Sequence, residues 1–321
     1  MGIGNPLKSV VLRGLRSTGA LWAATRYLRR NQLVILCYHG VSLRDEHLWE
    51  GGLYMPAELF RQRMAFLHDW GANVLPLSEA LVRVKNKTLP PKSVVITFDD
   101  GFHDFSKHAM PAMAKYNFPS TLYLTTWYMK YQLPVFSLMV KYLMWKSGWA
   151  EYATSAAREQ AVARYVQQVD SEYLTAEQCD KVARCLAETI GLDYDSILAD
   201  RLFQLMTPEE TADASRAGVD IQLHTHRHRT PHDRNLFLRE LRDNALEVRE
   251  ITGRDPKHFC YPSGVTAPEF LPWLREFGIE SATTCEHGLV SRHADPLLLP
   301  RYLDGCAVTE LDFESWLSGV R

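Results

Sequence analysis

The sequence predicts a parallel α/β protein whose sheet is either open or closed into a barrel. Two observations carry this. Short apolar runs rich in β-branched residues recur at 33–38, 94–98, 120–125, 219–223 and 257–261, and segments of helical periodicity separate them. Several runs also end abruptly in polar turns: Asp99-Asp100-Gly101, His224-Thr225-His226-Arg227-His228, and Pro262-Ser263-Gly264. That is where strands of an α/β sheet place functional side chains.

In chain order, 33–38 is an apolar run ending in Tyr38-His39-Gly40-Val41, a strand that delivers a histidine to a turn. Residues 56–70 have helical periodicity (Leu59, Phe60, Met64, Leu67), and Gly71 stops the helix before a short strand over 73–77. Ser78 is placed to cap a helix over 79–84, and a polar loop over 85–92 leads into Val94-Val95-Ile96-Thr97-Phe98. A helix around 107–116 and a strand over 120–125 come next. From 128 to about 206 the rhythm turns mostly helical, with Ala, Gln, Glu and Arg abundant over 149–168, and this stretch reads as an insertion between barrel elements. Its aromatic start (Tyr128, Tyr131, Phe136, Tyr142, Trp145, Trp149) either packs on the core or lines a cleft, with packing the expected use. Thr207 caps the following helix, with Pro208, Glu209 and Glu210 in its first turn, and Gly218 ends it. Strand 219–223 runs into the histidine-rich turn. A helix over 235–252 ends at Gly253, strand 257–261 and a helix over 269–277 follow, and 281–284 and 297–303 supply the last two strands.

At 321 residues, 46% hydrophobic and 23% charged, the chain buries a full core as one large domain or two small ones. A net charge of −2 offers no field for nucleic acid. Six cysteines (Cys37, Cys179, Cys185, Cys260, Cys285, Cys306) show no metal-site spacing and read as reduced thiols of a cytosolic protein. Residues 1–31 carry Lys8, Arg13, Arg16, Arg26, Arg29 and Arg30, with no acid before Asp45. They lack an uninterrupted apolar run and a cleavage site, so the expectation is no signal peptide and a cytoplasmic location. Leu7, Val10, Val11, Leu15, Leu21 and Trp22 share one helical face with Arg13 and Arg16 off it. Such a helix either lies on an anionic membrane surface or packs on the body of the protein. No window approaches the roughly 20 apolar residues of a spanning helix.

The chemistry concentrates at two strand ends. Adjacent acids such as Asp99 and Asp100 repel unless something neutralises one of them, and a divalent cation is the commonest neutraliser, although an ordinary Asp-Gly turn fits the same letters. His224 and His228, at i and i+4, project together if the segment turns helically. With Asp100 the set becomes two His and one Asp, a count that leaves positions open for water and a substrate carbonyl.

Thr97-Phe98-Asp99-Asp100-Gly101 followed by His224-Thr225-His226-Arg227-His228 resembles the first two signature motifs of the polysaccharide deacetylases, the NodB-homology or carbohydrate esterase family 4 enzymes. The third motif, Phe259-Cys260-Tyr261-Pro262-Ser263-Gly264, departs from the arginine-containing version of chitin and peptidoglycan deacetylases. It looks like the Tyr-Pro-x-Gly version of exopolysaccharide deacetylases, as do Tyr38-His39-Gly40-Val41 and Leu299-Pro300-Arg301-Tyr302. The resemblance spans 33 to about 304, apart from the insertion.

The resemblance implies a distorted (β/α)7 barrel over 32–321 with a helical insertion at about 128–206, preceded by a basic amphipathic segment over 1–31. The site would lie at the C-terminal ends of the strands. Asp100, His224 and His228 would bind the metal, zinc by preference with cobalt, nickel or iron acceptable, and Asp99 would be the general base. A backbone N–H near Ser263 would stabilise the oxyanion, Thr225 would support the site by hydrogen bonding, and His226 would not be a ligand. With no arginine in the third motif, Arg301 is expected either to orient Asp99 or to pair with Asp304 at the surface. The family's late histidine motif is absent, and His39, His287 and His293 compete for the role of general acid. The activity implied is metal-dependent N-deacetylation of an N-acetylated sugar in a surface polysaccharide or its lipid-linked precursor, on the cytosolic face, with the N-terminal helix contacting the membrane. The alternatives are hydrolysis of an O-acetyl ester or another amide, and a non-catalytic glycan-binding protein that keeps the metal.

Overall fold

The structure, a computed structural model, describes residues 6–27, 29–148 and 175–320. Its centre is a curled parallel sheet built from β1 (Val34–Tyr38), β4 (Asn73–Val74), β5 (Ser93–Asp100), β6 (Thr121–Leu124), β7 (Asp220–Leu223), β8 (His258–Cys260), β9 (Ser281–Thr283) and β10 (Tyr302–Leu303). The order is β10-β1-β5-β6-β7-β8-β9, and β4 shares one edge of β5 with β6. β2 (Gly40–Val41) and β3 (Tyr54–Met55) form a separate parallel pair at the rim. This is the distorted (β/α)7 barrel that the motif pattern implied.

Strand parity divides the interior in two. On β1 and β5, Val34, Leu36, Val94, Ile96 and Phe98 face the helices. Leu33, Ile35 and Val95 face inward, where they pack with Tyr123, Cys260 and Leu299. Both faces are buried, so these strands read as continuous apolar runs. The last strand is shorter than the expected 297–303, because Pro300 has no N–H to offer a ladder. Leu299 bridges to Thr283 of β9, while Tyr302 pairs with Leu36 of β1. The segment 299–303 therefore touches both edges of the sheet and closes the barrel, with Arg301 at the seam.

Helix ends follow the sequence closely in most places. Gly71 and Gly253 terminate their helices in the left-handed conformation, and Thr207 forms a capping box with Glu210. Three expectations change. The helix after β4 starts at Leu77 directly behind Pro76, so the strand expected over 73–77 shrinks to two residues, and the Ser78 hydroxyl bonds His258 Nε2 at 2.7 Å instead of capping. The helix expected around 107–116 opens as a wider π turn (Phe105–Ala109) before Met110–Ala114, where Pro111 removes an N–H from the ladder. Between β6 and β7, Phe136 and Tyr142 are buried, as packing requires, whereas Tyr131 is exposed. The stretch over 149–168 lies outside the described residues.

The N-terminal helices Pro6–Ser17 and Ala20–Tyr27 pack on each other and on the last helix, Glu310–Ser318. Leu12, Leu21 and Ala24 are buried there, and Arg16 pairs with Glu310 and Glu314. Val10, Val11 and Tyr27 face solvent. Among the described residues no helix is long and apolar enough to cross a membrane.

Asp304 is paired with Arg63 (Nε to Oδ2 2.9 Å), both buried, and the guanidinium lies 4.6 Å from the Phe313 ring centroid. Removing the cation strands a buried carboxylate. Arg63→Met should lower stability by about 3–5 kcal/mol in urea unfolding, and Arg63→Met/Asp304→Leu should recover most of it. Equal losses in the single and double variants would exclude uncompensated charge as the cause.

Candidate active site

Asp99 and Asp100 are neighbours in the chain with different surroundings. Asp99 continues the inward phase of Val95 and Thr97. Asp100, next in line, would face the helices in a regular strand, but its left-handed backbone (φ 70°) turns the carboxylate over the barrel mouth. There Asp100 Oδ1 lies 3.3 Å from His224 Nε2 and 3.4 Å from His228 Nε2. The donor atoms of the three residues all lie within 4.8 Å of one another.

The two histidines meet by a route other than the helical turn the i, i+4 spacing suggested. Residues 224–229 form an irregular loop in which Thr225 (φ 61°) and His228 (φ 55°) are left-handed, bringing the rings to a 4.9 Å centroid separation. With Asp100 and Ser263 (φ 54°), this gathers four non-glycine residues of unfavourable backbone conformation at one end of the barrel. Such strain persists only where the surroundings over-determine it.

Those surroundings come from the helix Arg234–Thr252. Asn244, fully buried, accepts from the His224 N–H (3.0 Å) and donates to the Leu124 carbonyl and Thr126 Oγ1 (3.0 Å each), which ties the ends of β6 and β7 together. Glu240, one turn earlier and also buried, accepts from the Arg227 N–H (2.8 Å) and from the side chains of Arg227 and Arg229. Both were overlooked in the sequence, although a polar pair at i, i+4 inside the buried stripe Phe237, Leu241, Val248 is a legible signal. The His226 ring bonds Thr126 Oγ1 at 2.8 Å, away from the cluster, and Thr225 Oγ1 accepts from the Arg229 N–H.

The donor chemistry of the cluster fits a cation. His224 Nδ1 bonds the Cys260 carbonyl at 2.8 Å, so Nδ1 carries the hydrogen and Nε2 presents a lone pair towards Asp100. Ring nitrogens of two histidines and a carboxylate oxygen then converge, a donor set that suits a divalent cation. Burial disfavours charge on His224, yet Cys260 and Asp100 carry its pKa well above the usual histidine range. The Asp100 carboxyl, which burial alone would push up, is held down by the two histidines. His228 is pushed down, first by burial and then by His224, against the pull of Asp100.

Asp99 forms no ion pair with either histidine of that set, although its carboxylate lies within 4.8 Å of His224 in a group with Cys260. Arg301 grips it in bidentate fashion, Nη1 to Oδ1 at 2.7 Å and Nη2 to Oδ2 at 2.8 Å, and both residues are buried. Of the two fates expected for Arg301, the structure shows the pair with Asp99, since Asp304 belongs to Arg63. The remaining donors of Arg301 reach the Thr284 carbonyl (3.0 Å), Thr97 Oγ1 (3.2 Å) and Cys260 Sγ (3.1 Å). Five N–H groups thus meet five acceptors. Burial pushes the Asp99 carboxyl up, but Arg301 outweighs it and holds the group far below the usual carboxylate range. The thiols of Cys37 and Cys260 lie 3.6 and 3.4 Å from Asp99 Oδ2, contacts that the sequence reading missed because strand cysteines pass as core apolar residues.

Of the three candidate acids, His39 faces this site, its Nε2 3.6 Å from Asp99 Oδ2. His287 is exposed beside Tyr302 and Trp316, and His293 is exposed on a loop. Ser263 sits in the turn just beyond β8 with its side chain exposed.

A family model for polysaccharide deacetylases matches residues 86–282. Over 118 residues the chain is 31% identical to the YxkH protein of Bacillus subtilis (strain 168), a stretch covering 36% of this chain and 39% of that protein, so about two-fifths of the relative's length is matched. The fold is shared with the Streptococcus pyogenes deacetylase PplD, solved in complex with acetate (TM-score 0.62, 17% identity, 89% of this chain and 98% of that one). It is also shared with a de-N-acetylase from Aggregatibacter actinomycetemcomitans (TM-score 0.59, 14% identity, 89% and 99%). With the family model covering well over half of its residues, the chain belongs to the polysaccharide deacetylase family.

Proposed function

We propose that the chain is a metal-dependent N-deacetylase that hydrolyses the acetamide of an N-acetylated sugar in a surface polysaccharide or its lipid-linked precursor. The observation that carries this reading is the division between the two neighbouring acids: Asp100 faces two histidines at 3.3 and 3.4 Å, while Asp99 is gripped by Arg301, which keeps it ionised. The likeness to a protein described as a de-N-acetylase supports amide over ester hydrolysis.

Asp100, His224 and His228 would hold the divalent cation, zinc by preference, with cobalt, nickel or iron compatible with the same donors. When bound, the cation supplies Lewis acidity, lowering the pKa of water from ~15.7 towards ~7 and polarising the acetyl carbonyl. Asp99 takes a proton from the attacking water as the C–O bond forms. Arg301 keeps the carboxylate ionised and fixes its plane, and the backbone N–H near Ser263 offers a hydrogen bond to the developing oxyanion. His39, across from Asp99, is assigned to protonate the sugar nitrogen as the C–N bond breaks, which releases acetate and a free amine. His228 is the most exposed of the three ligands and marks the side from which substrate would enter.

Residues 32–321 would form the catalytic body. The N-terminal segment, basic and with Val10, Val11 and Tyr27 outward, would rest on an anionic membrane surface at the cytosolic face, where a lipid-linked glycan precursor is presented.

The test is release of free amine from defined N-acetylated oligosaccharides, with O-acetylated sugars as the control; ester cleavage alone would overturn the reading. Asp99→Asn should lower turnover by about 10²–10⁴-fold while the protein retains one equivalent of metal by elemental analysis. Arg301→Lys keeps the charge but loses the fork, and should cost roughly 10–100-fold in kcat/KM with metal content unchanged; a rate equal to the parent would remove Arg301 from the site. Deleting residues 1–31 should abolish sedimentation with anionic vesicles, and unchanged partition would refute the membrane role.

A further inference from the structure

A second group of ligating side chains borders the first. Cys37 and His39 share the inward phase of β1 and the turn that follows it, so both approach Asp99 on the neighbouring strand. Asp99 Oδ2 lies 3.6 Å from Cys37 Sγ and 3.6 Å from His39 Nε2, and the donor atoms of all three fall within 4.8 Å of one another. A tetrahedral ion with bonds of ~2.0–2.3 Å sets its ligand atoms about 3.3–3.8 Å apart. None of these residues belongs to the Asp100, His224 and His228 set. We propose that Cys37, His39 and Asp99 form a second, thiolate-containing cation site that takes a thiophilic divalent ion of the zinc and cobalt type once the first site is filled, and that its occupancy shuts the enzyme off by capturing the base.

Ligand chemistry sets the preference. A site with a sulfur donor selects zinc or cobalt over magnesium or calcium. Asp99 Oδ2 has lone pairs enough for one bond from Arg301 and one to a cation. Cys260, although 3.4 Å from the same oxygen, is already engaged by Arg301 Nη2, which leaves Cys37 as the sulfur that Arg301 does not hold. Binding breaks the Cys37 S–H bond as the sulfur–metal bond forms, and the proton leaves to water. Two features make this site the weaker one. Arg301 puts a positive charge against Asp99, and the fully buried Cys37 thiol must give up its proton. The order of filling follows, and the protein is active with one equivalent and inhibited with two. His39, partly exposed at the barrel mouth, gives the ion its way in.

The test is a Co2+ titration of the full chain after chelator treatment, read by absorption, so its outcome does not depend on the deacetylase reading. The first equivalent should give only weak visible bands, and the second an intense near-ultraviolet thiolate-to-cobalt band. Cys37→Ser should remove that band and keep the first equivalent. His39→Gln should weaken the second equivalent by about tenfold or more and leave the band in place at saturation. Binding that stops at one equivalent, or a band that survives Cys37→Ser, would overturn the site. If Cys37→Ser loses even the first equivalent through misfolding, His39→Gln decides alone, and unchanged second-equivalent affinity rejects the assignment. Amine release followed across the titration should rise over the first equivalent and fall over the second. A rate that stays flat through the second rejects the inhibitory role.

Discussion

A buried arginine with every N–H engaged grips one carboxylate, and the upper half of the barrel is arranged around that pair. Taking both ions out of water costs several kcal/mol each, which only good geometry and full hydrogen bonding offset. Arg301 meets both conditions, with two bonds to Asp99 and three to Thr97, Thr284 and Cys260. The reward is chemical: an anion inside an apolar barrel that stays ionised and oriented. Without the guanidinium, burial would protonate Asp99 and end its use as a base.

Position along the strand decides which acid does what. Parity sends Asp99 inward to the arginine, and a single left-handed residue redirects Asp100 to the histidines. One element, the helix Arg234–Thr252, then supports the other half of the site through Asn244 and Glu240, a turn apart on its buried face. Positioning therefore comes from regular elements, while the residues that would touch metal sit at the very end of β5 and on the strained loop that follows β7. A rigid frame that carries its chemistry on the rim of a barrel is the usual solution for this architecture.

Much of this was legible in the residues. The strand ends stood out because apolar runs stop at Asp99, His224 and Pro262, and capping residues marked helix starts such as Thr207. The partner of Arg301 could not be chosen from sequence, since Asp304 is three residues away and Asp99 is 202. Only the closure of the sheet brings β5 and the 299–303 segment together. The histidine loop misled for a related reason: i, i+4 spacing invites a helix, and nothing local announces left-handed Thr225 and His228. Cys37 and Cys260 were invisible as chemistry because a cysteine in a buried strand looks like any small apolar residue.

The seam at 299–303 also orders events in time. A chain made from its N-terminus acquires Asp99, Asp100, His224 and His228 before Arg301 exists, and the barrel cannot close until that segment pairs with both β1 and β9. The same five residues thus complete the ring of strands and carry the arginine that keeps the enclosed acid charged, so enclosing Asp99 and pairing it are the work of one segment.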